Sequence, residues 1–220
     1  MAAMATLPGT GPEQRLREQR QRIDERIRKA AIVEFSQHGL RGASTQDIAA
    51  RAGLTKPQLH YYIKGKERLY EELLASVVHR WVQDTSFDHA SDDPAAVLAS
   101  YVEDKIRTSL DDPELARIFG LEILSGAPHL GPHWPTAFEV TGRLAATLQR
   151  WMDEGRMRRC NPHLLLMNIW AMTSHYAYYA VQVRQMSARF PESPMDRDTV
   201  VREVTDLVLA GCGLAPHDGA

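Results

Sequence analysis

The stretch from Ser44 to Lys66, S-T-Q-D-I-A-A-R-A-G-L-T-K-P-Q-L-H-Y-Y-I-K-G-K, decides the fold. Ser44 is a good helix N-cap, and Asp47 three residues on resembles the second half of a capping box. Ile48, Ala49, Ala52 and Leu54 supply an apolar face. Gly53 offers the left-handed residue that ends a short helix. Thr55 caps a second helix, with Pro57 in its first turn, where a missing N–H costs little. Leu59 and Ile63, four apart, anchor that helix to a core. Lys56, Gln58, His60, Tyr61 and Tyr62 are left facing outward. Two short helices joined by a tight turn, the second carrying aromatic, amide and cationic groups outward, have the layout of a helix-turn-helix. The second helix of that motif enters a DNA major groove.

An ordinary solvated face is the plainer reading of those five side chains. Two adjacent exposed tyrosines beside a histidine argue instead for a partner. In the DNA reading, Lys56, Tyr62 and Lys66 hold phosphates, and Thr45 donates its hydroxyl to one at the start of its helix. Gln58 and Tyr61 meet base edges, glutamine being able to pair bidentately with adenine. His60 fits either task. Gln58 is also placed to close a capping box with Thr55, which competes with base reading.

The segments I-R-K-A-A-I-V-E-F-S-Q-H-G (27–39) and T-Q-D-I-A-A-R-A-G-L-T-K-P-Q-L-H-Y-Y-I-K-G-K-E-R-L-Y (45–70) resemble the N-terminal domain of TetR-type transcriptional regulators. The resemblance covers roughly residues 20–72. It departs at three positions: His60 stands where tyrosine is usual, Ile63 where phenylalanine is usual, and Gly65 where Ser, Asp or Asn often caps the next helix. The resemblance implies a homodimer that represses from a palindromic double-stranded DNA operator and is released by a small-molecule effector.

Charge agrees with a basic head. The 220-residue chain has a net charge of −2, which alone suggests no nucleic acid. Residues 1–66, however, hold 12 Lys and Arg against 6 Asp and Glu, and the remainder holds 14 against 22. That places the phosphate attraction at one end. The expected organisation is a disordered arm (1–19), the helix-turn-helix domain (20–66), an effector-binding and dimerisation domain (67–214) and a disordered tail (215–220). Within the arm, R-L-R-E-Q-R-Q-R reads as a helix extension, as a loose arm touching phosphates or a minor groove, or as a solvated helix start.

The body reads as all helix, giving an all-α chain of about nine helices with a three-helix head. Lys66 to about Thr85 forms a long amphipathic helix. Asp93-Pro94, Asp112-Pro113 and Asn161-Pro162 each pair an N-cap with proline at the first helical position. They predict helices near 94–110, 113–125 and 162–187, with others near 135–154 and 196–210. The 162–187 helix is apolar all round, from Leu164 through Ile169 and Trp170 to Val183, so it needs both an internal core and a partner. A two-fold copy is the fitting partner, and the last helix, with Val200, Val201, Val204, Leu207, Val208 and Leu209, completes a four-helix dimer contact.

E-I-L-S-G-A-P (122–128) and I-W-A-M-T-S-H-Y-A (169–177) resemble a narrower subgroup, the RutR-like regulators of pyrimidine utilisation. That resemblance implies that Trp81 and Trp170 line an effector pocket. Ser174 stands where the subgroup has glutamine, and a serine cannot present an amide's donor–acceptor pair to a nucleobase. The effector is thus a pyrimidine or another small aromatic compound. From the residues alone, Trp81, Phe119, Trp170 and Tyr178 offer flat walls beside Val78, and Glu122, Thr173, Ser174 and His175 offer polar contacts. Aromatic residues at helical spacing are as readily core.

Other classes find little support. Cys160 and Cys212 match no metal or redox spacing and suit a reduced cytoplasmic setting. The histidines lack accompanying ligands at metal spacing. No run approaches the length that spans a bilayer, so no membrane partner is expected. No nucleophile–base pair, phosphate loop or cofactor motif supports an enzyme with a DNA-binding head. An architectural DNA-binding protein without an effector is the other alternative, and the long body argues against it.

Overall fold

The structure, a computed structural model, describes residues 11–83 and 91–215, and of residues 81–83 only the backbone. Ten α-helices and one 3-10 turn make up the described residues, with no strand. They are α1 (Pro12–Gly42), α2 (Thr45–Arg51), α3 (Lys56–Tyr62), α4 (Lys66–Gln83), α5 (Pro94–Asp111), α6 (Pro113–Leu124), α7 (Trp134–Asp153), α8 (Pro162–Tyr178), α9 (Ala180–Arg189) and α10 (Arg197–Gly211), with the 3-10 turn at Gly131–His133. The chain divides into two compact units at Leu73 and Leu74.

In the first unit, Ile27, Ala31 and Phe35 of α1 are buried together with Ile48 and Ala49 of α2 and Leu59 of α3. Leu69, Tyr70 and Leu73 are buried as well, and the Phe35 and Tyr70 rings meet edge to face at 5.1 Å. Side chains of the first turns of α4 thus complete the head, which extends past the residue 66 expected from sequence. Helix α1 begins at Pro12, so residues 12–19, expected as an arm, are helical here. Gly39 interrupts the end of α1 at φ +63°. Residues 1–10 and 216–220, where the rest of the arm and most of the tail were expected, lie outside the described residues.

The second unit builds its core from α5, α7, α8 and α10, around Leu98, Tyr101, Leu148, Trp151, Ile169 and Leu209. The N-cap grammar holds at Asp93, whose carboxylate accepts from the Ala96 N–H, and at Asn161, whose carbonyl accepts from His163 and Leu164. It fails at Asp112. That side chain makes no cap bond and pairs instead with the Arg80 guanidinium of α4. Asp112 sits at φ −127°, ψ 61°, outside the extended geometry that Asp93 and Asn161 use to aim their side chains at the first N–H groups, and its carboxylate meets the full positive charge of a guanidinium instead.

The single helix expected over 162–187 is two. Tyr179 leaves helical geometry at φ −105°, ψ 28°, ending α8 and starting α9. Its ring stacks on that of His175 at 4.8 Å. This break accounts for ten helices rather than about nine. Helix α9 has no buried residue.

Candidate functional site

Local chemistry presets the helix-turn-helix. The Ser44 hydroxyl accepts from the Gln46 and Asp47 N–H groups, but the box expected with Asp47 is not closed. The Ser44 N–H donates instead to Glu34, a carboxylate of α1 that is 3% exposed. Gly53 takes φ +67° at the turn. The Arg26 guanidinium of α1 donates to the Ala52 carbonyl and, at 3.2 Å, to that of Gly53. No sequence signal short of the fold reveals Arg26, whose targets lie 26 and 27 residues away.

Helix α3 is held from both ends. The Thr55 N–H donates to the Gln58 Oε1 at 2.8 Å, and the Gln58 N–H to the Thr55 hydroxyl, so the capping box is complete. Leu59 is fully buried and Ile63 half-buried. Lys56, Pro57, Gln58 and His60 are exposed, and Tyr61 is 78% exposed with its ring edge-on to that of half-buried Tyr62 at 5.2 Å. Thr45 is half-buried at the start of α2. Lys66 is half-buried, its ammonium donating to the Ala43 carbonyl at 2.9 Å, which uses one of its three protons. Two of the candidate DNA contacts, Gln58 and Lys66, therefore also hold the motif together.

The candidate effector residues fall around α6 and α8. Val78 and Thr173 are buried, Phe119, Trp170, Ser174 and Tyr178 half-buried, and Glu122 only 3% exposed. The side chain of Trp81 lies outside the described residues. Trp170 donates its indole N–H to the Tyr101 hydroxyl at 2.7 Å, and burial pushes the Tyr101 phenol up to about 12, so it stays neutral. Tyr178 lies over Gly120, where an added Cβ would meet the ring at 3.1 Å. Burial raises the Tyr178 phenol too, with a Ser174 hydrogen bond acting against it.

The polar groups here are turned onto their own chain. Thr173 donates to the Ile169 carbonyl at 2.9 Å and Ser174 to that of Trp170 at 2.7 Å. The Glu122 carboxylate accepts the His129 N–H at 2.6 Å, with the His129 ring at 3.3 Å. That loop carries Ala127 at φ +56°, a non-glycine in the left-handed region. A cleft of about 10 Å³ lies nearby in sequence, lined by Val77, Arg80, Thr108, Asp112, Leu115 and Ala116. It includes none of the candidate effector residues. Among the described residues, no three His, Cys, Asp or Glu side chains cluster to hold a metal, and no helix is long and apolar enough to cross a membrane.

Residues 27–73 match the model of the bacterial regulatory proteins of the tetR family, and residues 74–215 match that of the YcdC-like C-terminal region. The HTH-type transcriptional regulator RutR of Escherichia coli (strain K12) is 31% identical over 192 residues, covering 84% of this chain and 88% of RutR. Among solved structures, the ketosteroid transcriptional regulator KstR2 of Mycobacterium tuberculosis superposes with a TM-score of 0.67 at 20% identity, over 87% of this chain and 94% of that one. AibR, solved with isovaleryl coenzyme A and operator DNA, gives 0.62 at 16%, over 84% and 97%. At these identities the two structures speak for the fold alone.

Proposed function

Because the chain belongs to the TetR family of bacterial regulatory proteins, which are DNA-binding transcriptional regulators, we propose that it is a homodimeric repressor released from a palindromic operator by a small-molecule effector. The observation that carries this reading is α3. Its buried Leu59 fixes the helix, and its exposed Lys56, His60 and 78%-exposed Tyr61 stand outward. Tyr61 and Gln58 meet base edges, and Gln58 does so by exchanging its capping bond for a base. Lys56, Tyr62, Lys66 and Thr45 hold phosphates, and His60 serves either purpose. Pro57 opens the helix toward the groove.

The dimer is supported by apolar side chains left in water. Leu164 and Met167 of α8 are 58% and 56% exposed, and Leu207 of α10 is 63% exposed. Large apolar side chains gathered on two neighbouring helices mark an interaction face. A two-fold copy covers them and sets two heads on one palindrome.

The effector site lies between Val78 and Trp81 of α4 and the side chains of Phe119, Glu122, Trp170, Thr173, Ser174 and Tyr178. An effector must displace Tyr178 or take the Ser174 and Thr173 hydroxyls from their backbone carbonyls. A flat, neutral, aromatic compound suits the half-buried rings of Phe119, Trp170 and Tyr178. Likeness to RutR favours a pyrimidine, and the short Ser174 side chain favours a different aromatic compound. Binding tilts α4 and changes the spacing of the two heads, provided the effector prefers the DNA-incompetent state.

Tyr61→Ala tests the assignment. The variant should lose about 1–3 kcal/mol of operator affinity, as for a lost base contact, while remaining dimeric by sedimentation. Unchanged affinity would sink the orientation given to α3. Melting temperature against a panel of nucleobases, their catabolites and larger apolar compounds identifies the effector class, since a ligand of the folded state raises it.

A further inference from the structure

Residues 12–22 of α1 hold Arg15, Arg17, Arg20 and Arg22 against Glu13 and Glu18. Apart from half-buried Glu18 these residues are exposed, and the lone leucine, Leu16, is 68% exposed. This part of the helix adds nothing to the core. A helix that is polar all round bridges solvent or is held by i,i+4 side-chain pairs, such as Gln14 donating to Glu18 at 3.4 Å.

A cleft of about 570 Å³ opens beside it in the head. One wall is α1, with Arg20, Asp24 and Arg28. The other holds Tyr62, the last residue of α3, then Lys64 and Arg68. Two of the carboxylates lining the cleft are paired: Glu72 with Arg68 at 3.0 Å and Glu25 with Lys29 at 3.8 Å. Among the described residues, Arg17, Arg20 and Lys64 have no hydrogen-bond or ion-pair partner, and Asp24 is the one lining carboxylate that has none. The cleft is continuous with the recognition helix through Tyr62, whose ring touches that of Tyr61.

We propose that this cleft takes backbone phosphates of the duplex, next to the bases that α3 reads, with Arg20 reaching from one wall and Lys64 from the other. The proposal rests on the operator-binding reading above and adds two phosphate contacts to it. Unpaired cations on a rigid helix and a short connection suit phosphate, which positions the protein without specifying sequence. The occupant is the DNA backbone rather than an acidic protein segment, because the cleft adjoins the face already turned toward DNA.

The test uses the full-length protein and the duplex it selects from a random-sequence library. Affinity is measured against potassium chloride concentration for wild type, for Arg20→Ala with Lys64→Ala, and for Arg20→Lys with Lys64→Arg. Each neutralised phosphate contributes roughly 0.9 to the slope of log affinity on log salt, so the alanine pair should lose about 1.8. It should select the same motif as wild type, and the charge-keeping pair should retain the wild-type slope. A wild-type slope in the alanine pair overturns the proposal. So does a charge-keeping pair as weak as the alanine pair, since phosphate is read by charge. If wild type selects no motif, or Tyr61→Ala binds as wild type does, the operator-binding reading itself fails, an outcome distinct from a wild-type slope in the variants.

Discussion

In the unit ending at Leu73, α3 turns Lys56, His60 and Tyr61 to solvent, whereas in the unit from Leu74 the hydroxyls of Thr173 and Ser174 and the carboxylate of Glu122 are turned onto their own chain. Both regions carry a candidate site, yet only the first presents its side chains ready for a partner. Duplex DNA is large and rigid, so a surface that reads it has to be shaped beforehand. Close packing of interiors disfavours an open void, so the side chains of the second region fill its interior. On the proposed reading, the contrast is between a prebuilt surface and an effector site that would have to open.

The largest effect that would sharpen this contrast is in the head. Leu59 is fully buried, and Leu59→Ala should cost about 2–5 kcal/mol of stability by chemical denaturation, with operator binding lost through unfolding of α3. A stable variant with intact binding would show that α3 is not held by its core contact.

Gly53→Ala should cost about 1–3 kcal/mol, because alanine is strained at φ +67°. The new Cβ would also sit 2.5 Å from the Arg26 guanidinium and force it off the two carbonyls it holds. Combining it with Arg26→Ala should show non-additivity in a double-mutant cycle. Strict additivity would remove Arg26 from the turn.

In the body, Gly120→Ala should displace Tyr178 from its seat, at a cost of about 1–3 kcal/mol in thermal unfolding. Removing the ring with Tyr178→Ala should make the Gly120 change nearly neutral. If effector affinity is unaltered in both, Tyr178 does not close the site.

The smallest effect is on acid stability. Asp92 accepts from Arg150, Arg156 and the Trp151 indole, and the two guanidinium hydrogen bonds hold its carboxyl well below the usual range. A depressed folded pKa gives stability that is present above the unfolded value and lost as pH falls through the folded one. Melting temperature should therefore fall below about pH 4, and Asp92→Asn should flatten that decline. An unchanged acid limb in the variant would mean that this exposed network is screened out.

Much of the fold was legible because the signals are local. Ser44, Thr55, Asp93 and Asn161 each cap the helix that follows within three residues, and Gly53 turns where a left-handed residue was needed. The break at Tyr179 was not legible, since no glycine or proline stands there. Asp112 shows the limit more sharply: its sequence reads like Asp93, but Arg80 takes its carboxylate.

By itself the sequence determined most of the helices, most of their caps and the basic head, which follow from interactions within a turn or two of chain, or from composition. Its ordered motifs carried the likeness to a family of regulators. Only the tertiary structure decided which polar groups are left for a partner. Lys66 donates to Ala43, 23 residues away, the Arg80–Asp112 pair spans 32, and the Trp170–Tyr101 bond spans 69. A side chain's local sequence sets what it can bond, but whether it is already bonded depends on what folding brings beside it.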